Sequence, residues 1–407
     1  MTKQFTDDPF EILYDGYYYD ITEFSTRHPG GDVILYYTEK GEHATQAIQQ
    51  FHNRFFPKVK LMLDNLKRRL ATQTESPLTP EERKRHENLT NDFNELFIWA
   101  KNQGLFEPSP WRITWQIFEC SMIWMIGIYL CGSSRFSLQF FGAILFGLGA
   151  GRAGGVRYFT GRAGWVMHEA GHHSLTGNHK ADRFIQSILL GILDGLPGGW
   201  WRRRHNKHHA MPQRIDYDGD LNTLPVIANS IEVVKHPHQG RSFFIQNQKW
   251  LFLTVDCFLA TMAWRLYSSP RSVTKYKNYF NMAMIAIHWW ILLSFAAPWT
   301  TIFGVWFGGA YLFGNFALSH SRLPVAKKQT HWVEYAFRHT ANIKSSFWVD
   351  WWTGYLNFEV VHHLFPTLPP FRSYLLRDKV MPPSMTFPTM SFLIWRRGFK
   401  ILEIWIM

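Results

Sequence analysis

Four stretches of this chain carry almost no charge, and they come in two pairs. Residues 113–132 hold one acidic residue, Glu119, in a run long enough to cross ~30 Å of hydrocarbon. A short SSRF loop leads into 137–151, whose glycines let helices approach closely. The second pair is 281–297, a turn at Pro298, then 301–319. Two weaker apolar stretches, 184–197 and 250–264, read as interfacial or re-entrant. Loops inside each pair hold few Lys or Arg and the segments outside are rich in them. Positive charge is retained on the cytosolic side, so both termini and everything between the pairs are expected there. The expected architecture is therefore four transmembrane helices in two hairpins. Composition agrees: charged residues are 18%, below the ~25% of ordinary soluble domains, and the 19 tryptophans suit a membrane interface. The net charge of +12 then points to an anionic membrane surface rather than to nucleic acid. Cys120, Cys131 and Cys257 all lie in apolar runs and read as reduced thiols, not as a disulfide framework. The opening MTKQFTDDPFEIL lacks a basic start followed by an apolar run, so no signal peptide is expected.

Residues 1–75 read as a small soluble module, with a strand-like ILYDGYYYDI followed by helical stretches. Residues 72–88 are polar, Pro-bearing and charge-rich, which suggests a linker, with 76–110 as linker and amphipathic lead-in and 111–407 as the membrane-embedded part. His28-Pro29-Gly30-Gly31 is followed by His52. Two histidines can close both axial positions of a haem iron, which then moves electrons and leaves no site for O₂. The Pro-Gly-Gly turn lets backbone approach the porphyrin. His-Pro-Gly-Gly alone also fits an ordinary turn with an unrelated surface histidine. With YDGYYYDITEF before it and Ala44-Thr45 before His52, the module resembles cytochrome b5, an α+β haem domain.

Three histidine clusters lie on the expected cytosolic side: His168-Glu-Ala-Gly-His172-His173, His205-Asn-Lys-His208-His209 and Glu359-Val-Val-His362-His363. Residues at i, i+3 and i+4 share a helix face, so each cluster can present a metal-facing stripe. His320, at the end of the last apolar run, is a further candidate. Nitrogen-rich sites suit iron, copper or zinc, and even seven of these eight clustered histidines with a carboxylate exceed what one tetrahedral zinc needs. Two metals are the economical answer, and Glu359…His362 has the Glu-x-x-His form of di-iron carboxylate sites. Two irons beside a haem donor suggest O₂ activation and attack on an unreactive C–H bond. His168-Glu-x-x-His172 also matches the zinc-protease motif, although a protease would leave the other clusters and the haem module without a task. Asp218 and Asp220, in DYDGDLNTLP, are candidates to hold imidazole N–H groups, or form a polar turn around Gly219. Arg202, Arg203, Arg204 and Lys207 flank the second cluster. They suit lipid headgroups, acyl-CoA phosphates or an acidic haem-module surface, and fit a solvated basic face equally well.

The order of b5-like module, HEAGH, WWRRRHNKHH…DYDGDLNTLP and LNFEVVHHLFPTLP resembles the front-end fatty acid desaturases with a fused haem domain, over nearly the whole chain. The resemblance implies an endoplasmic-reticulum membrane enzyme with haem b, two Fe²⁺ ions and O₂ as co-substrate. Electrons would come from NADH through cytochrome b5 reductase. The substrate would be an acyl-CoA or phospholipid-linked acyl chain, and the product a cis double bond between the carboxyl end and an existing one. By position, the implied iron ligands are His168, His172, His205, His208, His209, His362 and His363, with His320 supplied near the last span. The family's third box usually begins with Gln, and Glu359 departs from that; it either ligates iron or is a tolerated neighbour of the site. His173 is also unusual, and it is assigned beside the metals rather than on them. A sphingolipid long-chain-base desaturase, a lipid hydroxylase and a haem protein with a decayed metal site remain as alternative readings.

Overall fold

The computed structural model describes residues 9–39, 42–72, 78–150, 162–221, 223–234, 237–320, 323–326 and 330–380. Residues 73–77 of the expected linker, His236 and the C-terminal LEIWIM lie outside the described residues. The described chain is mostly helical, with one small sheet near the N-terminus.

That sheet comes from the tyrosine-rich run. Instead of one strand, ILYDGYYYDI folds back on itself: β1 (Glu11–Tyr14) pairs antiparallel with β2 (Tyr17–Asp20), Tyr14 opposite Tyr17. Asp15 and Gly16 both take positive φ (48° and 78°), the two-residue hairpin turn that Asp-Gly favours. β3 (Arg68–Leu70) adds to β2 in the order β1-β2-β3. Between β2 and β3 lie a tight helix over Gly31–Thr38 and helices Thr45–Phe51 and Phe56–Asp64. Ile12, Ile21, Tyr37 and Ala47 from this module share one buried apolar cluster with Phe93, Trp332, Phe365 and Leu376. The module is therefore packed against the rest of the chain and not strung beside it.

Residues Pro80–Asn102 form a helix, although their first nine positions read as linker. The missed signal is Thr79-Pro-Glu-Glu82: the Thr79 hydroxyl accepts from the Glu82 backbone, Glu82 reaches back to the Thr79 N–H, and Pro80 opens the first turn. The far end of this helix sets Phe93 and Phe97 in parallel against Phe365, next to the third histidine cluster.

The four apolar runs are all helical. Pro110–Cys131 and Pro298–Ser319 are long and apolar enough to cross a membrane, each with a mean hydropathy of 1.3. Their partners, Phe136–Ala150 and Tyr279–Phe295, are shorter at 15 and 17 residues. The first hairpin is tight because of glycine: a Cβ on Gly127 would stand 2.4 Å from the Phe146 nitrogen, and one on Gly149 2.6 Å from that of Trp124. The turn of the first hairpin meets the start of Pro298–Ser319, where Phe136 stacks on Trp299 and the Trp299 indole donates to Gln139. Pro298–Ser319 packs chiefly on Phe136–Ala150, and Tyr279–Phe295 packs on Leu189–Asp194, so the second pair does not close on itself as the first does. Trp115, Tyr129, Phe136, Trp290, Leu293 and Ile302 point outward, an apolar surface that suits lipid. Most of 184–197 lies inside the protein, with Leu190, Leu193 and Leu196 buried and His288 of Tyr279–Phe295 donating to the Ile192 carbonyl, while Phe184 at its start is exposed. Gly304 and Gly309 pack against Phe146 and Cys257, so close helix contact accounts for these two glycines.

Candidate metal centre

Each histidine cluster sits on its own short helix. The first occupies and follows Arg162–Gly171, the second Gly198–Ala210 and the third Glu359–Leu364. The helices cross at one buried point. His168, His172, His205, His209 and His362 offer ligand atoms all within 4.8 Å of one another. Around the Nε2 of His205 stand the Nε2 atoms of His172 at 2.8 Å, His168 at 3.0 Å and His209 at 3.0 Å. Next to this group, His208, His320 and His363 form a second one. His208 and His363 stand 3.2 Å apart at Nε2. The Glu359 carboxylate joins the second group, its Oε1 3.1 Å from His363 Nε2 and 3.2 Å from His320 Nε2. No residue of either group is more than 5% exposed.

The inner-facing nitrogens fit cations. A neutral imidazole nitrogen holds at most one proton, so His205 Nε2 can satisfy one of its three nitrogen neighbours, and lone pairs face each other at the rest. A central cation removes that repulsion. Two nitrogens each about 2.1 Å from one ion and at right angles stand about 3 Å apart, the separation found here. The buried Nε2 of His362, which has no partner, fits the same role. Burial first, and neighbouring imidazoles second, push His168 and His209 well below the ordinary histidine range, and His172 and His362 move the same way. Unprotonated lone pairs are what metal binding requires.

Outer nitrogens are anchored. His208 Nδ1 donates to Asp218 at 3.0 Å, and Asp218 is held in turn by the backbone N–H groups of Gln213 and Asp220. Asp220 stands 3.7 Å from the same nitrogen and also pairs with Arg204. His320 Nδ1 donates to the His339 carbonyl at 2.8 Å. Such contacts fix ring orientation and tautomer. Trp201, stacked on His205 with ring centres 4.3 Å apart, was not singled out by sequence, nor were Gln213 and His339. Trp201 stands in the WWRRRHNKHH motif but was given no role there, and the signal for Gln213 and His339 lies in packing and backbone geometry. Gly171 belongs to the same construction, since a Cβ there would overlap the Trp201 ring at 2.1 Å.

Glu169 does not join the metal groups. Burial raises it to about 8, and its charged neighbours are Arg112, Asp182 and Arg54, none of them at the histidine site. A zinc protease needs that carboxylate beside the metal, so the protease reading fails here. His173 is likewise outside both groups. Of the basic residues, Lys207 pairs with Asp32 of the N-terminal module at 2.7 Å, Arg203 donates to Ser272, and Arg202 donates to Gln186.

In the N-terminal module, the His28 and His52 rings face each other with centres 6.4 Å apart. Each donates Nδ1–H to a backbone carbonyl at 3.0 Å, His28 to Gly31 and His52 to Ile48, which leaves the Nε2 atoms for another partner. Two imidazoles each bound at about 2 Å to one iron place their centres roughly 6 Å apart, so the pair suits axial ligation. Gly30 is tight against His28: a Cβ would fall 2.7 Å from its Cε1. Burial lowers both rings, His52 to about 4.

Comparisons with known proteins agree with this chemistry. The family model described as fatty acid desaturase matches residues 142–392. An acyl-lipid (8-3)-desaturase of Rebecca salina is 37% identical over 92% of this chain and 85% of that protein. One from a Thraustochytrium species is 35% identical, covering 89% and 83%. A Delta(5) fatty acid desaturase of Caenorhabditis elegans is 27% identical, covering 89% and 86%. No solved structure matches. Buried histidine groups on three helices, suited to two cations and set in a matching sequence, lead to one conclusion: this chain belongs to the fatty acid desaturase family.

Proposed function

We propose that this desaturase is of the front-end type and carries its own electron donor. The observation that carries the reading is the pair of adjoining nitrogen-rich groups. One ion would take His168, His172, His205, His209 and His362, and the other His208, His320, His363 and Glu359. Two irons held there would supply, with O₂, two electrons and two protons, the oxidising power to remove two hydrogens from an unactivated CH₂–CH₂ pair, O₂ leaving as two waters. The protein holds the ligand rings in place and excludes bulk water: Asp218, with Asp220 beside it, orients His208, the His339 carbonyl orients His320, and Trp201 braces His205. Glu359 brings a negative charge to a site otherwise built of neutral imidazoles, which offsets part of the charge of two cations.

His28 and His52 would hold haem b axially, and the haem would receive electrons from NADH through cytochrome b5 reductase. Four spans in two hairpins would place the termini and all three histidine clusters in the cytosol of an endoplasmic-reticulum membrane, with 1–75 as the haem domain and 111–407 as the desaturase domain. The two shorter helices are supported as spans by their outward apolar faces and their packing beside the longer pair. The names of the relatives favour a chain whose nearest double bond is at carbon 8, with the new one three carbons toward the carboxyl end, at carbon 5.

Purified protein tests this directly. It should carry one haem, seen as a bis-histidine absorbance spectrum, and two irons per chain. His363→Ala should lose iron and keep the haem spectrum. Full iron in that variant, or zinc in place of iron in the wild type, would remove the di-iron assignment.

A further inference from the structure

His173 needs an account of its own, because it adjoins the metal groups without entering them. It follows the first-cluster helix with φ of +59°, a left-handed conformation that disfavours any side chain and that glycine usually takes at a helix end. Gly171, two residues earlier, does not take it and is pinned under Trp201. The left-handed turn gives consecutive histidines different tasks. His172 reaches the metal group, while the His173 ring meets the edge of Phe55, centres 5.9 Å apart. Phe55 belongs to the N-terminal module, three residues after His52, and its ring stands 6.4 Å from that of His52. Five other described non-glycine residues, Asp15 and Lys277 among them, also take positive φ, so at His173 the angle matters for where it sends the ring. Here the strain completes a run of aromatic contacts across the boundary between the two parts of the chain.

We propose that Phe55 and His173 form the route along which electrons pass from a haem on His52 to the metal group at His172. This rests on the haem and di-iron reading above. Per transfer, one electron leaves a ferrous haem, which becomes ferric, and one ferric ion of the pair becomes ferrous; no bond forms or breaks and no proton moves. Two transfers, with re-reduction of the haem by the external reductase between them, supply the two electrons that desaturation consumes. Both are positioning residues that act through their neighbours, Phe55 through the His52 ring and His173 through the adjoining His172. His179, whose ring lies 5.6 Å from Phe55 and 6.5 Å from His173, closes the same aromatic group from the side.

Phe55→Leu and His173→Leu, made in the full-length holoprotein, test the route. The haem is reduced anaerobically and its re-oxidation by the ferric metal pair is followed by stopped-flow absorbance. Each substitution should slow re-oxidation about tenfold or more, equivalent to a barrier increase of about 1.4 kcal/mol. Haem spectrum, haem midpoint potential, iron content and the Mössbauer spectrum of the metal pair should stay as in the wild type, and Phe55→Trp should restore the rate. Re-oxidation within about twofold of wild type in both leucine variants overturns the route. A slowed rate with an altered iron spectrum or haem potential also overturns it, because the residues would then be structural. A wild-type protein without haem absorbance would instead overturn the underlying haem reading.

Discussion

Arg214→Met probes how the N-terminal module is held against the desaturase. The Arg214 guanidinium reaches Glu42 at 2.8 Å and Glu39 at 2.7 Å, both in the module, and lies over the Tyr217 ring. The Arg214 and Glu42 side chains are each 8% exposed, while Glu39 is 31% exposed. Methionine fills much of the arginine volume without its charge. Glu39 can then turn to water, where a solvated pair contributes only about 0–1 kcal/mol. Glu42 is buried, and removing one member of a buried pair costs about 3–5 kcal/mol. Arg214→Met should therefore lower the stability of the detergent-solubilised protein by about 3 kcal/mol, read as a fall of several degrees in the tryptophan-fluorescence melting temperature. Adding Glu42→Gln removes the buried charge and should recover more than half of the loss, so the two substitutions will be non-additive. A single variant melting with the wild type, or a double variant melting below the single, would refute the reasoning.

Glu359→Ala should lose iron, whereas Glu359→Gln, whose amide oxygen can stand where Oε1 does, should keep both irons; elemental analysis of the two variants decides this. Asp218→Asn replaces the carboxylate nearest His208 Nδ1, leaving only Asp220 at 3.7 Å, and should weaken iron binding about 10–100-fold, measured by competition with a chelator. Burial, with His86 and His43 nearby, lowers His331 to about 3, and its Nδ1 accepts the Val333 N–H while its Nε2 stands 2.9 Å from the Thr90 hydroxyl. The unfolded chain takes that proton near pH 6.5, so the stability contributed by the neutral ring is complete above pH 6.5. It is lost as pH falls toward 3, at no more than about 1.4 kcal/mol per unit. Melting temperature should consequently fall less steeply between pH 6.5 and 5 in His331→Gln than in the wild type, and parallel curves would contradict the assignment.

The histidines were legible because each cluster falls on one helix face, a property that spacing alone encodes. How three distant segments converge is not written in spacing. Nor is the sorting of the nitrogens into a group of five and a group of three, because it depends on where the helices cross. The apolar helices could be read as far as hydropathy reaches. The run 184–197, buried from Leu189 on apart from Ile192 and open at Phe184, looked peripheral because its hydrophobicity does not say whether lipid or protein covers it. Two local errors have local causes: Asp-Gly inside the tyrosine run is a hairpin turn, and Thr-Pro-Glu-Glu is a helix start within a stretch that charge and proline made look like linker. His173 stood out in sequence, but the use of its ring depends on a single backbone angle and on Phe55, more than a hundred residues earlier.

Fatty-ester profiling tests the central claim most directly. Yeast expressing the chain would be fed a C20 acid whose first double bond is at carbon 8, and its methyl esters analysed by gas chromatography–mass spectrometry with derivatisation to place the bonds. The account predicts a new ester with an added cis double bond at carbon 5, absent when His363→Ala replaces the wild type. Cells in which haem and iron are both bound but no new double bond is made, or an equal yield from His363→Ala, would contradict it.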